Sequence, residues 1–351
     1  MFRKSLALCL FLSLSPLLQA QDIHPGHQLG DTLVTDSDLF EGADPLELTL
    51  TFNLKQYQRE KSDEKYKPVH LNLRVNDSLE IEKEVRIKPR GNFRRNHCTF
   101  APFWLNIRKA DVKNIHLQDV KRMKIVTHCQ GGKDYTDYVL KEYLAYRIYN
   151  ILSPVSFRVR LIRMKYVDTG RKNRVTESWA FMIEPEKMVA ERHDAMVIKR
   201  DNLVMSFMRP DEIMLTSLFQ YMIGNADYSI AGRHNMKILG LPGFSTEGYT
   251  PVPYDFDYSG FVNANYAVPG ENLGIKSVRE RYFLGPCQED SSYREAITTL
   301  ENKRVEILEL LNAFPYLDER SRKQMVGYIE AYYISTEAPR FIDRNLRRTC
   351  R

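Results

Sequence analysis

Apolar and polar residues alternate strictly over two early stretches of the chain. Leu46, Leu48, Leu50, Phe52 and Leu54 are separated by polar positions, and Val69, Leu71, Leu73 and Val75 repeat the pattern. Side chains on a strand point to opposite faces in turn, so this spacing predicts two half-buried strands flanking the charged loop 55–67. Shorter strand-like runs follow at Glu84–Lys88, Phe103–Ile107 and Met123–Thr127, broken by Arg90-Gly91-Asn92 and by cysteine-bearing loops. The period then lengthens. Leu140, Tyr143, Leu144, Ile148, Ile151 and Leu152 lie on one face of a helix that starts after Gly131-Gly132 and stops near Ser153-Pro154. Phe157–Tyr166 and Trp179–Ile183, joined by the charged turn 168–174, read as a hairpin. Farther on, Ile213–Ile223 is an amphipathic helix. The pairs Ile307/Leu308, Leu310/Leu311, Met325/Val326 and Tyr328/Ile329 mark two closing helices divided at Phe314-Pro315. A β-rich first half and a more helical second half result, an α+β chain.

The 351 residues include 43% hydrophobic and 27% charged positions, a globular balance that excludes a disordered or collagen-like chain. The longest apolar run, Leu6 to Leu18, follows Arg3 and Lys4 and precedes Leu18-Gln19-Ala20. It is too short for a membrane span, so residues 1–20 are expected to be a signal peptide cleaved near Ala20, with the mature chain exported to the periplasm, the secretory pathway or the exterior. Residues 21–44, rich in Gly, Asp and Ser, read as a flexible lead-in. The formal charge of +6 falls to roughly +4 without the leader, and the cations are dispersed, which argues against nucleic acid as a partner. Cys9 leaves with the leader. The four remaining cysteines, Cys98, Cys129, Cys287 and Cys350, have no zinc-type spacing, and in an exported chain they predict two disulfides. Three pairings are open; the expected one joins Cys98 to Cys129 and Cys287 to Cys350. His97 and His128 read as polar neighbours of a disulfide loop, and Tyr143, Tyr146 and Tyr149 as packing residues.

Chemistry is concentrated between residues 224 and 258. Gly224-Asn225-Ala226-Asp227 ends a helix, Asn235 lies eight residues after Asp227 at the start of a short hairpin, and Tyr254-Asp255-Phe256-Asp257-Tyr258 follows. Phosphoryl transfer needs a carboxylate to orient the acceptor hydroxyl and oxygen ligands to hold a divalent cation against the phosphates. An Asp, an Asn and an Asp in that order supply those parts. Taken singly, each is equally a turn or cap residue. Together, the two aspartates among three aromatic residues would be costly to bury without a cation. A Ca²⁺ site without catalysis meets the same requirement.

Arg90-Gly91-Asn92, the helix Tyr138–Leu152, the strand Trp179–Glu184 with Pro185-Glu186-Lys187-Met188, the run Gly224–Asp227 with Asn235, and Pro253–Asp257 together resemble the CotH-type spore-coat kinases over roughly residues 80–265. The stretch from Asp227 to Asp255 is also similar to the catalytic segment of HipA-type kinases. The resemblance implies a two-lobed atypical protein-kinase-like fold, with a β-rich N-lobe over 45–184 and a helical C-lobe over 185–351. It implies ATP or another nucleotide, Mg²⁺ with Mn²⁺ or Ca²⁺ as alternatives, and a protein substrate offering a Ser or Thr hydroxyl. Asp227 would be catalytic, Asn235 and Asp255 would hold metal, and Asp257 would be a supporting or second metal ligand. Arg90 and Gly91 would meet phosphate. Lys124, paired with Glu142, would serve as the nucleotide-pairing lysine, with Lys88, Lys109 and Lys141 as alternatives. Kinase-like loops usually leave about five residues where this chain leaves eight, so the loop carries an insertion or Asn225 replaces Asn235 as ligand. A non-catalytic binding or assembly module with a structural cation, and a nucleotidyl transferase, are the competing readings.

Overall fold

The computed structural model describes residues 39–60, 65–91, 93–107 and 122–351. The expected signal peptide, most of the lead-in, Asn92 and Lys109 lie outside the described residues.

The alternating segments become strands, with one early departure. β1 (Leu46–Phe52) stops at Asn53, whose side chain accepts the Gln56 N–H at 2.9 Å and caps α1 (Leu54–Arg59). Leu54, which continues the alternation in the sequence, therefore opens a helix, and part of the expected loop 55–67 is helical. β2 (Lys67–Asn76) and β3 (Leu79–Pro89) form a hairpin, followed by the short α2 (Phe93–His97), β4 (Phe103–Asn106) and β5 (Met123–Thr127). α3 (Lys133–Leu152) leads to the expected hairpin of β6 (Val159–Asp168) and β7 (Arg174–Ile183). Beyond lie α4 (Glu186–Arg192), β8 (Met196–Val197), α5 (Pro210–Met222), β9 (Met236–Gly240), α6 (Phe244–Glu247), β10 (Thr250–Pro253), α7 (Asp290–Asn302), α8 (Arg304–Ala313) and α9 (Glu319–Thr336). The sequence reading missed α7, although Tyr293, Ala296 and Leu300 are buried at helical spacing.

The seven strands of the first sheet close on themselves in the order β1-β2-β3-β4-β5-β7-β6, with β1 pairing in parallel to β6 from Leu46↔Ile162 to Phe52↔Asp168. This overturns the expected two-lobed kinase-like fold: the sheet is a closed β-barrel, accompanied by helices and a small β10-β9-β8 sheet. The mixed α+β content stands. Alternation reveals which residues of a strand face inward, but not which distant strand it meets, so closure by a parallel pair was invisible locally.

Inward-facing residues such as Leu48, Leu50, Leu71, Ile87, Leu105 and Ile125 fill the barrel. β6 and β7 are buried on both faces near their shared end, with Arg160 among otherwise apolar residues. Leu161, Phe181 and Ile183 turn away from the barrel into a second core built on α3, α5 and α7 to α9. There Tyr143, Tyr146 and Tyr149 pack as expected, Tyr146 edge-on to Phe256 and Tyr149 against Phe219. The disulfides join Cys98 to Cys129 and Cys287 to Cys350. None of the described helices is long and apolar enough to cross a membrane.

Candidate functional site

The site forms where α3, the segment after β3, strand β5 and the turn after β10 meet. α3 is covered nearly all round, and its buried residues include the charged Asp137, Lys141 and Glu142. A polar side chain in such a position needs a partner. Glu142 finds Arg94, from α2, with Oε2 3.2 Å from Nη2; the same nitrogen lies 3.0 Å from Asp255 Oδ1, and Arg94 Nε lies 3.1 Å from Asp257 Oδ2. Arg94 is only 8% exposed. One guanidinium thus gathers carboxylates from α3 and from the Asp255–Asp257 turn.

The turn itself is shaped for this. Asp255 has φ 66°, in the left-handed region that Asp and Asn tolerate better than most residues, and its N–H donates to Tyr146 Oη at 2.8 Å. Phe256 is sealed in the core, which leaves Asp255 and Asp257 to turn towards Arg94. Tyr266 donates its hydroxyl to Asp257 Oδ2 at 3.1 Å.

Charge does not balance in this cluster. Among the described residues, three carboxylates whose ligand atoms lie within 4.8 Å of one another are in direct contact with one guanidinium, that of Arg94. Burial, with Asp257 and Asp255 close by, pushes Glu142 up to about 8 despite Arg94. Burial and Asp255 likewise push Asp257 up to about 6 against the pull of Arg94. Asp255 is pushed up by burial too, but Arg94, Arg90 and Lys124 outweigh it and hold its carboxyl below the usual range. Glu142 Oε1 is buried without a hydrogen-bond partner. Opposed oxygens on one bound Ca²⁺ are separated by about 5 Å, so the donor set fits a divalent cation in span, oxygen chemistry and surplus charge.

Cations and aromatic rings adjoin the carboxylates on the Tyr254 side. Lys124 Nζ lies 4.2 Å from the centre of the Tyr254 ring and Lys237 Nζ 5.6 Å from it. Trp104 carries Arg90 at 5.5 Å, Arg122 at 4.3 Å and Lys124 at 5.8 Å. Glu186 partners Lys237 at 3.4 Å. Burial, helped by Arg90 and Lys237, lowers Lys124 to about 7. Gly91, with φ 86°, makes the turn out of β3 that precedes Arg94.

Asp227 stands on the loop after α5. Its Oδ1 lies 3.0 Å from His234 Nε2, and Asn235 Nδ2 donates to its Oδ2 at 3.0 Å and to its main-chain carbonyl at 2.8 Å. Asn235 in turn accepts the Tyr254 N–H on its own carbonyl at 3.0 Å, coupling this loop to the Asp255 turn. The carboxylate of Asp227 is near enough to contribute to raising Asp257 and Tyr258. Asn225 is engaged locally: its amide donates to Gln220 Oε1 at 2.9 Å, and its Oδ1 accepts the Asp227 N–H at 3.0 Å.

The structure therefore brings Arg90, Lys124, Glu142, Asp255 and Asp257 to one place and sets Asp227 and Asn235 beside them. It does not pair Lys124 with Glu142; Arg94 takes that carboxylate, and Lys124 faces Tyr254. Of the alternative lysines, Lys88 lies over Tyr66 and Lys141 is buried on α3. Sequence reasoning missed Arg94, Tyr146, Tyr266 and His234. Arg94 stands in Phe93-Arg94-Arg95, where nothing local separates it from its exposed-looking neighbour, and Tyr146 carried only its packing signal.

No family model matches the sequence, and no curated protein does. Among solved structures, the chain is similar to the crystal structure of a Helicobacter pylori proinflammatory kinase, CtkA, with 11% identity over 69% of this chain and 91% of that one, at a TM-score of 0.37. A likeness of that size carries no argument about chemistry, which must come from the side chains.

Proposed function

We propose that this protein is an exported, metal-dependent phosphotransferase that moves a phosphoryl group from a nucleotide such as ATP to a Ser or Thr hydroxyl of a protein. One observation carries the reading: Tyr254-Asp255 sits at the join between a carboxylate cluster short of positive charge and a group of cations laid over Trp104 and Tyr254. A metal–polyphosphate pair has the complementary charge pattern, cation on one side and anionic oxygens on the other. Two disulfides among the described residues suit an oxidising compartment.

Glu142, Asp255 and Asp257, with Asn235 Oδ1 as a further donor, would hold Mg²⁺, Mn²⁺ or Ca²⁺. When bound, that cation supplies neutralisation of the phosphate oxygens. Lys124, Arg90 and Lys237 would steady the phosphates. Asp227, oriented by His234 and Asn235, would accept the acceptor hydroxyl's proton as its oxygen bonds to phosphorus and the bond to the departing nucleoside diphosphate breaks.

The test is thermal-shift and calorimetric titration of wild type and Asp255→Asn with nucleotide, metal and both, followed by transfer of label from the γ-phosphate. Asn retains the left-handed backbone at this position, so the substitution reads the carboxylate rather than strain. Stabilisation that requires both ligands and disappears in Asp255→Asn is expected. Equal responses in the two proteins would sink the proposal. The seat of Arg94 favours a second reading, a non-catalytic module in which the guanidinium is the lasting counter-ion. Its signature is no nucleotide response at all, with Asp255→Asn changing stability alone.

A further inference from the structure

Arg94 touches each of the three carboxylates through one oxygen apiece, Glu142 Oε2, Asp255 Oδ1 and Asp257 Oδ2. Its planar fork reaches three directions at once, which an ammonium on a flexible stem does not. The residues it gathers come from parts of the fold far apart in the chain, α3 and the turn after β10, which also meet through Tyr146 and Asp255. Left alone, carboxylates this close repel one another and splay or take up protons.

Arg94 is itself held from behind. Cys98 follows directly on α2; its N–H donates to the Arg94 carbonyl at 2.9 Å, and its sulfur is bridged to Cys129, just beyond β5. Phe100 N–H donates to the Cys129 carbonyl at 3.1 Å, and Thr99 Oγ1 and the His97 carbonyl both meet the Gln130 side chain. The bridge is buried, with Cys98 0% and Cys129 6% exposed. The covalent link therefore fixes the short segment from which Arg94 reaches into the carboxylates.

We infer that Arg94 is a positioning residue for divalent-cation binding, preset by the Cys98–Cys129 bridge, so that breaking the bridge weakens the cation site without removing any ligand. The inference rests on the cation-binding half of the proposed function and is independent of nucleotide or transfer chemistry. Neither Arg94 nor the cysteines would touch the cation. They fix where its ligands stand.

Mn²⁺ titration of the whole chain, followed by electron paramagnetic resonance of free and bound ion, tests this. Asp255→Asn reports on the ligand set, Arg94→Met on the guanidinium and Arg94→Lys on its fork. Cys98→Ser/Cys129→Ser removes the bridge, and Cys287→Ser/Cys350→Ser is the control for losing a bridge elsewhere. Far-ultraviolet circular dichroism checks that each is folded. Expected are affinity at least about tenfold weaker in Arg94→Met and partial recovery in Arg94→Lys. The Cys98/Cys129 variant should be several-fold weaker, and the Cys287/Cys350 variant within about twofold of wild type. If Arg94→Met does not fold, Arg94→Lys and the two cysteine pairs decide. Mn²⁺ bound as tightly or more tightly when the guanidinium or its fork is removed would mean that Arg94 competes with the cation and would overturn the positioning role. Equal effects of the two cysteine pairs would overturn the role of the bridge. Wild type binding no better than Asp255→Asn would instead overturn the cation site itself, and this inference with it.

Discussion

At the scale of single residues, two buried bases carry measurable consequences. His128 is 3% exposed, its ring stacks on Phe100 at 4.3 Å, and burial lowers it to about 4 from 6.5. The folded state therefore keeps His128 neutral where the unfolded chain would already bind a proton. Its contribution is complete above about pH 6.5 and is lost as pH falls towards 4, approaching about 3 kcal/mol below that. Urea unfolding at pH 7, 5 and 4 should show a steeper acid loss in wild type than in His128→Phe. Lys124 is the other case. Lowered to about 7, it is protonated mainly below that pH, and an anionic phosphate would favour the charged form. Nucleotide affinity is expected to fall between pH 6 and 8, with the fall flattened in Lys124→Arg and affinity reduced at least tenfold in Lys124→Met. Calorimetry across that interval checks both. The residue types at this site were legible as far as motif order reached: Asp227, Asn235, Asp255 and Asp257 lie within one segment and stand out by their order, although the eight-residue step from Asp227 to Asn235 departs from the kinase-like pattern. Arg94 did not, because its meaning comes from Glu142 and Asp255, partners 48 and 161 positions away in the chain.

At the scale of elements, period and punctuation located most strands and helices. The exceptions have local physical causes. Asn53 turned an apparent continuation of β1 into a capped helix, and Asp168 Oδ1 reinforces the switch by accepting the Leu54 N–H at 3.0 Å. The same kind of capping gives a quantitative expectation at the far end of the molecule. Asp318 accepts the Ser321 N–H at 2.8 Å at the start of α9, and its other oxygen meets Lys133 at the start of α3. Asp137, on α3, accepts the Ser321 hydroxyl at 2.7 Å and completes the contact between the two helix starts. Asp318→Ala should cost about 1 kcal/mol from the lost cap. Asp318→Asn or Asp318→Ser should recover most of it, as read from the midpoint of denaturant unfolding. The surface pair with Lys133 adds little, so raising salt should change the cost only slightly.

For the molecule as a whole, the second disulfide ties the end of the chain to the helical core. Cys287 and Cys350 are 63 residues apart, so in the chain-entropy view the bridge contributes about 4 kcal/mol by restricting the unfolded state. It works beside main-chain bonds from Arg351 N–H to Gly285 and from Cys287 N–H to Arg351. Cys287→Ser/Cys350→Ser should lower the unfolding midpoint markedly under oxidising conditions and abolish most of the effect of reductant on α7 to α9, measured by hydrogen exchange.

The closing pair of the barrel has a consequence in time. Leu46 meets Ile162 and Phe52 meets Asp168, so the first strand made is among the last to find its second neighbour. Until the β6 sequence exists, β1 and the strands after it form at best an open meander with a bare edge, the kind of surface on which other chains nucleate pairing. A chain emerging from its amino end must therefore keep that edge apart from its own copies until nearly half of the 351 residues, up to Asp168, have been delivered. Partial products ending before Val159 should aggregate where those reaching past Ile183 do not.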